Sequence, residues 1–272
     1  MIDCLKSLFL VMSIVLASAH AYNEAPALAG RVKLGELPPV EKRLPMNPAV
    51  VEPVNAIGVY GGTWRRLARN ITDIGLNNRF GYEPLVRWGR DGRTIEPNVA
   101  ESWEISEDGR AYTLKLREGM RWSDGEPFTS ADLMFYYEDV LTNDELTPVA
   151  PAWLHLAGET VVMDAPDAHT IRFQFSEPYG IFLEMLAYRS TDLLYPSHYL
   201  KQYHPNYRPL EDLEAQASAI GLDFWFQLFL RQADINDNPD LPTIKAWKIV
   251  VPLPARRVRA ERRDRHRIPV GQ

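Results

Sequence analysis

The chain has 272 residues, of which 46% are apolar and 24% charged, and its formal net charge is −6. This composition is typical of a globular protein with one or two apolar cores and excludes an intrinsically disordered chain. Seven arginines stand against two acidic residues at 256–267, so the rest of the chain is strongly acidic. Such a basic end indicates either a functional tail or a segment that does not belong to the fold.

The first 21 residues have the pattern of an export signal. Lys6 supplies a positive charge, an apolar run follows at 8–17, and Ala19 and Ala21 place small residues at a cleavage site. We therefore predict a signal peptide at 1–21. The alternative is an uncleaved membrane anchor, which needs an apolar run of about 20 residues. Because the only cysteine, Cys4, lies inside this signal, we expect neither disulfides nor thiolate chemistry in the mature protein.

A proline-rich leader occupies 22–59, and we expect it to be extended because proline disfavours helix interiors. The glycines at 61–62 are expected to release a first strand that ends near Ala68. Two hairpins should follow. The first, at 103–117, turns at Asp108 and Gly109. The second has strands at 160–163 and 170–175 on either side of a turn at 164–167.

A helix is predicted between the two hairpins. Thr129 is a typical N-cap, and Asp132 stands three residues later in the capping-box position. The helix then presents an apolar stripe of Leu133, Phe135, Tyr136 and Val140. Further helices are predicted at 181–187, 197–203, 210–220 and 224–231. Antiparallel hairpins mixed with helices indicate a mixed α/β (α+β) fold.

The segments 97–109 and 112–132 carry a pattern that resembles the extracellular solute-binding proteins of family 5, the peptide/nickel group. The residues of this pattern that we single out are Trp103, Asp108, Gly109, Trp122, Asp124, Gly125 and Thr129. Turn formers, large aromatic side chains and a helix cap explain such a pattern without any function. The pattern therefore identifies the fold and says little about a ligand.

The resemblance implies the N-terminal lobe of a periplasmic binding protein type II-like fold, with β-hairpins and packed helices. It divides the chain into segments as follows: a signal peptide at 1–21, the leader at 22–59, the first part of lobe I at 60–82, a hairpin-rich subdomain at 83–185, a return into lobe I up to the hinge at 186–254, and an aberrant tail at 255–272. By this comparison the second lobe is expected to be missing.

The resemblance further implies an extracytoplasmic receptor of an ABC importer. We expect a periplasmic monomer that works with permease subunits, without a cofactor, and that carries a peptide. Peptides commonly bind such proteins by adding to a strand edge. Other family members bind nickel complexes, haem or oligosaccharides, so the cargo class stays open.

The resemblance also places the ligand-facing surface. The predicted ligand-binding residues are Thr72, Asp73, Asn77, Tyr188 and Arg189. Asp73 would receive an amine of the ligand and Arg189 a carboxylate. The alternatives are that Asp73 caps a helix that begins near Gly75, and that Arg189 is a solvated surface charge.

The chain departs from the family pattern after Pro254, where arginine-rich sequence replaces an expected aromatic segment. We expect a frameshift at 252–256. One alternative to a receptor is therefore that the chain is an inactive remnant with no binding function of its own. A third hypothesis is a basic-tailed protein that binds anionic surfaces. The tail lacks the interleaved aromatics that stack on bases, so nucleic acid is not an expected partner.

Enzyme motifs are not found in the sequence, and we predict a protein without catalytic activity. There is no Gly-x-Ser-x-Gly elbow, no phosphate-binding glycine loop and no His-Glu-x-x-His helix. His198 and His204 stand six apart, which does not suit a metal pair on one helix face. We therefore expect them to be surface or capping residues and predict no metal site.

Overall fold

A computed structural model describes residues 22–51, 53–56, 65, 81–252 and 259–262 of the chain. The predicted strand at 61–68 lies almost wholly outside these residues. The helices are α1 (Pro26–Lys33), α2 (Val40–Arg43), α3 (Ser130–Phe135), α4 (Phe182–Arg189), α5 (Ser197–Leu200), α6 (Leu210–Ala219) and α7 (Trp225–Gln232). The strands are β1 (Val86–Trp88), β2 (Ile95–Pro97), β3 (Ala100–Ile105), β4 (Ala111–Leu116), β5 (His155–Leu156), β6 (Glu159–Thr160), β7 (Val162–Asp167), β8 (Thr170–Gln174), β9 (Trp247–Val251) and β10 (Arg259–Arg262).

The leader is not extended throughout, so that expectation was wrong for α1 and α2. Pro26 stands in the first turn of α1, where the missing N–H breaks no helical hydrogen bond. Arg43, at the end of α2, is buried: its Nε donates to the main-chain oxygen of Pro38 at 2.9 Å, and it pairs with the Glu24 carboxylate. These contacts fix the short helices without a large apolar core.

Four antiparallel strands form the central sheet in the order β3-β4-β8-β7. The first hairpin is as predicted, and Gly109 at its turn has a φ of 68°. Alternating side chains of β4, namely Tyr112, Leu114 and Leu116, are buried on one face. Ile105 of the outer strand β3 is 47% exposed, because an edge strand lacks a second neighbour to cover it.

The second hairpin turns later than predicted. Asp167 pairs with Thr170, so the turn consists of Ala168 and His169 rather than 164–167. The Asp167 carboxylate accepts hydrogen bonds from the His169 N–H at 2.8 Å and the Thr170 hydroxyl at 2.7 Å, as in an Asx turn. Pro166 lies in the outer strand β7, where its missing N–H disrupts no inner ladder.

Helix α3 packs on this sheet against β7 and β8. The predicted capping box is present: the Thr129 side chain and the Asp132 carboxylate each accept from backbone N–H groups at the helix start. The helix continues as a π-helical turn at Tyr136–Leu141. All four residues of the predicted apolar stripe are buried. Phe182 of α4 fills the other side of this core, where five aromatic rings surround it.

The predicted helices at 181–187, 197–203, 210–220 and 224–231 are found as α4 to α7, with ends that differ from the prediction by at most three residues. The 197–203 helix is split, because α5 passes into a 3₁₀ turn at Lys201–Tyr203.

Strand β9 pairs with β10 in an antiparallel hairpin. Arg259 lies opposite Val251, and Ala260 lies opposite Ile249. Strand β10 belongs to the segment that we expected to be foreign to the fold. The register shifts between Arg259 and Ala260, so the pairing is irregular, and the expected boundary at 254 stays a prediction.

Candidate functional site

The end of helix α4 carries the two predicted ligand-binding residues that the structure describes. Tyr188 is 60% exposed, and the Arg189 guanidinium carbon lies 5.6 Å from the centroid of its ring. Thr72, Asp73 and Asn77 lie outside the described residues, so these three stay predictions.

Arg189 is not a lone solvated charge. Its Nε lies 3.3 Å from a carboxylate oxygen of Asp192, one helical turn further along the chain. Both side chains are partly exposed, so solvent screens the pair and its direct contribution to stability is small. The pairing instead orients the Asp192 carboxylate at the edge of a pocket.

This pocket lies where the turn after α4 meets the end of α7 and the segment 233–245. Its volume is about 330 Å³. The lining residues are Trp122, Thr191, Asp192, Leu194, Tyr195, Pro196, Leu200, Leu230, Ala233, Asp234, Ile235, Leu241, Pro242, Thr243, Ile244 and Lys245. The pocket combines polar groups with apolar side chains, and concave sites with converging polar groups are common places for ligands.

Lys245 is the most unusual residue of the pocket, because a lysine is rarely as little as 5% exposed. Burial lowers the pKa of its ammonium group to about 8, although the nearby carboxylates of Asp192 and Glu83 act in the opposite direction. At neutral pH the group therefore keeps its proton. Its main-chain N–H donates to the Thr243 hydroxyl at 3.0 Å, which orders the backbone at the pocket.

The acidic and phenolic groups beside Lys245 are also perturbed. Burial raises the pKa of Asp192, while Arg189 and Lys245 favour its ionised form. Burial also raises the pKa of Tyr195 to about 12, helped by the carboxylates of Asp192 and Asp234. Perturbed titratable groups in a concave site mark a functional candidate on physical grounds.

Sequence reasoning missed Lys245 and Asp192. Lys245 was predicted only to lie in the return segment at 186–254. Its one signal in the sequence is that a lysine directly follows Leu241, Pro242, Thr243 and Ile244, and an ordinary surface lysine can stand in the same context. Asp192 lies three residues after Arg189, and its role depends on the distant segment that brings Lys245 close.

The family-pattern residues have structural roles. The Trp122 indole donates to the Asp132 carboxylate at 3.2 Å, and the Asp124 carboxylate lies 2.7 Å from the His198 ring. Gly109 and Gly125 both adopt positive φ. Asp108 accepts from the Ser106 hydroxyl in the first turn, and Trp103 packs on the core.

His204 was expected at the surface or in a capping role, and it is the buried C-cap residue of the 3₁₀ turn at Lys201–Tyr203. The ring is fully buried; its Nε2 donates to the main-chain oxygen of Asp139 at 3.0 Å, and its Nδ1 accepts from the Asn206 N–H at 3.2 Å. Among the described residues, no three histidine, cysteine or carboxylate side chains lie together as metal ligands. None of the helices described is long and apolar enough to cross a membrane.

Comparison with known proteins relates this fold to one family. The family model for the bacterial extracellular solute-binding proteins, family 5 Middle, matches residues 94–214. The periplasmic alpha-galactoside-binding protein of Rhizobium meliloti (strain 1021) is 35% identical over 198 residues, which cover 65% of this chain and 28% of that protein.

Two solved structures share the fold over most of the chain. An oligopeptide-binding protein OppA superposes with a TM-score of 0.84 at 38% identity, covering 91% of this chain and 39% of that one. The periplasmic binding protein MelB from Agrobacterium fabrum C58, in complex with stachyose, has a TM-score of 0.71 at 27% identity, covering 92% of this chain and 38% of that one. The chain therefore spans less than two fifths of the length of these proteins.

Proposed function

We propose that the chain is part of a bacterial extracellular solute-binding protein of family 5 and that this protein is the extracytoplasmic receptor of an ABC importer. The observation that carries this proposal is the agreement with OppA over 91% of the chain at a TM-score of 0.84. The receptor would bind its cargo reversibly and deliver it to permease subunits. It would act as a periplasmic monomer after export by the signal peptide at 1–21.

The ligand-facing surface would include the end of α4 and the pocket beside it. Tyr188 offers an exposed aromatic face next to the paired charges of Arg189 and Asp192. The pocket continues this surface towards Lys245. An exposed aromatic ring beside hydrogen-bonding groups suits either a peptide backbone or a sugar ring.

A peptide is the first candidate cargo, as expected from the sequence, and the similarity to the oligopeptide-binding protein OppA supports it. An oligosaccharide is the second candidate, supported by the alpha-galactoside-binding relative and by the stachyose complex of MelB. With either cargo, we expect the protein to bind the solute without converting it chemically.

A thermal-shift panel tests the receptor role. The purified chain is heated with trialanine, stachyose or NiCl₂, each at a wide range of concentrations. A ligand at 100 times its Kd stabilises a protein by about 2.7 kcal/mol, which raises Tm by roughly 5–10 °C for a domain of this size. We expect such a rise with one member of the panel. A flat melting temperature with all three would contradict the proposal.

A further inference from the structure

The C-terminal end of α4 is tied to a segment that lies far earlier in the chain. The Tyr82 hydroxyl donates to the main-chain oxygen of Ala187 at 2.7 Å, and the Ser190 hydroxyl accepts from the Leu85 N–H at 2.7 Å. Each bond joins residues that are 105 positions apart in the sequence. Because α4 also packs against β1 and β2, these bonds fix where the helix ends relative to that pair of strands.

The Tyr82 hydroxyl makes two hydrogen bonds. Besides donating to Ala187, it accepts from the Trp88 N–H at 3.2 Å. An α-helix leaves its last four carbonyl groups without a partner inside the helix, and Ala187 carries one of them because α4 ends at Arg189. Tyr82 supplies the missing donor and connects this carbonyl to the end of β1.

Ser190 joins α4 to the 3₁₀ turn Ser190–Leu193. Its side chain is fully buried, and its hydroxyl donates to the main-chain oxygen of Leu186, one turn back in the helix. The same oxygen accepts from the Leu85 N–H, which is buried as well. Since a buried N–H without a partner is destabilising, this hydroxyl satisfies a distant donor while it fixes the junction between the helix and the turn.

The two hydroxyls lie on either side of the predicted ligand-binding pair. Tyr82 holds the carbonyl group that precedes Tyr188, and Ser190 directly follows Arg189. Tyr188 is 60% exposed, and Arg189 reaches Asp192 on the 3₁₀ turn at 3.3 Å. An exposed side chain has few packing contacts that could direct it, so its direction depends on how the backbone beneath it is held.

We propose that Tyr82 and Ser190 are positioning residues for ligand binding, which hold the end of α4 so that Tyr188 and Arg189 face the solute in one arrangement. This inference rests on the proposed receptor function and adds two residues to it that act through their neighbours. A site that is ordered before the ligand arrives binds more tightly, because less conformational freedom is lost on binding. Loss of either hydroxyl should therefore weaken binding although no contact with the solute is removed.

A pair of tyrosine variants separates positioning from general stability. Tyr82→Phe removes the hydroxyl that holds the end of α4. The matched control is Tyr112→Phe, because the Tyr112 hydroxyl also donates to a main-chain oxygen, that of Tyr179 at 2.6 Å, just before the start of α4. Both variants lose one bond to a carbonyl group, so we expect similar losses of stability in urea unfolding and a difference only at the end of the helix.

A pair of serine variants repeats the comparison. Ser190→Ala removes the second hydroxyl at the end of α4. Ser130→Ala is its control, because the buried Ser130 hydroxyl donates to the main-chain oxygen of Asp167 at 2.7 Å, at the start of α3. Agreement between the two pairs distinguishes the position of the lost hydroxyl from the type of residue that carried it.

Calorimetric titration of the full chain with trialanine, stachyose and NiCl₂ measures the effect on affinity. For the solute that the wild type binds, we expect Tyr82→Phe and Ser190→Ala to weaken binding about tenfold, as for one lost hydrogen bond, and both controls to bind normally. Replacement of Tyr82 by para-aminophenylalanine returns a donor to Ala187 and should restore most of the affinity. Unchanged affinity in Tyr82→Phe and Ser190→Ala, or equal losses in the controls, would overturn this inference and leave the receptor role standing.

Hydrogen exchange of the ligand-free chain gives a second measure. The main-chain amides from Tyr188 to Ser190 should exchange about tenfold faster in Tyr82→Phe than in Tyr112→Phe, since only the first variant loosens this end of the helix. Equal exchange in the two variants would overturn the positioning role, whether or not a solute binds. A wild-type chain that binds none of the three solutes would overturn the receptor function and, with it, the link between this position and binding.

Discussion

The Nε2 atom of His204 lies 3.0 Å from the main-chain oxygen of Asp139, 65 residues earlier in the chain. Since Nδ1 accepts a hydrogen bond from Asn206, the ring is held as the neutral tautomer with its proton on Nε2. The Asp139 carboxylate accepts further bonds from Asn206 and Tyr207, both at 2.7 Å. This network joins the π-helical turn after α3 to the segment that precedes α6.

Acid should weaken this network at His204. Burial lowers the pKa of the ring below 6.5, although Asp139 favours the charged form. As pH falls through 6.5 the unfolded chain takes up the proton first, so stability is lost from there towards the lower folded-state pKa. We expect the free energy of unfolding, measured in urea between pH 7 and 5, to fall less steeply with decreasing pH in His204→Gln than in the wild type. The exposed-site control His155→Gln should follow the wild type, and identical slopes in all three would refute the assignment.

Raising the pH should stabilise the folded chain through Lys245. The folded-state pKa of about 8 lies below the ordinary 10.5, so between these values the unfolded chain binds the proton that the folded chain has released. Raising the pH through this window therefore relieves the cost of burying the charge. Lys245→Met, which has no such cost, should be more stable than wild type at pH 7.5. That advantage should shrink by pH 10 in parallel urea titrations, and an advantage that does not change with pH would contradict this account.

Asp132 joins three elements through one carboxylate. One oxygen accepts from the Trp122 indole and the Thr129 N–H, and the other accepts from the N–H and hydroxyl of Ser197. In Asp132→Asn an amide NH₂ must face one pair of donors. Because hydrogen bonds to a charged group contribute about 1.5–3 kcal/mol each, we expect a loss of about 2–4 kcal/mol in urea unfolding. The exposed Asp144→Asn should change stability by less than about 0.5 kcal/mol.

The turn of the first hairpin requires glycine. Gly109 has a φ of 68°, and an added Cβ would lie 3.6 Å from Pro178, which is an ordinary contact. The cost of Gly109→Ala is therefore backbone strain alone, about 1–2 kcal/mol. Gly180→Ala, at a position with open space and no positive φ, should be neutral or slightly stabilising. Equal melting temperatures for the two variants would show that the turn is not strained.

Local patterns predicted much of this fold. The capping box of Thr129 and Asp132 and the turn at Gly109 depend on residues close in sequence, so their geometry could be inferred from residue type. The second turn was misplaced because Pro166 is a common turn former, yet here it lies in an outer strand. The same bias made the leader appear extended, although Pro26 begins a helix.

The candidate site was harder to predict, because it depends on distant segments. Lys245 was predicted only to lie in the return segment at 186–254, and only the folded chain brings it near Asp192 and Glu83. The burial of His204 was not predicted for the same reason, since its partner Asp139 lies on another element. Arg189 was identified by resemblance, but its pairing with Asp192 emerges only from the geometry at the end of α4.

The central claim is that the protein binds a solute reversibly and does not convert it. Recovery of a retained solute tests this claim most directly. The purified chain is equilibrated with a mixture of short peptides, oligosaccharides and nickel salt, separated by gel filtration and then denatured. Mass spectrometry of the released fraction should find one solute near one equivalent per chain, with its mass unchanged. A fraction that contains no solute, or one whose mass has changed, would contradict the account.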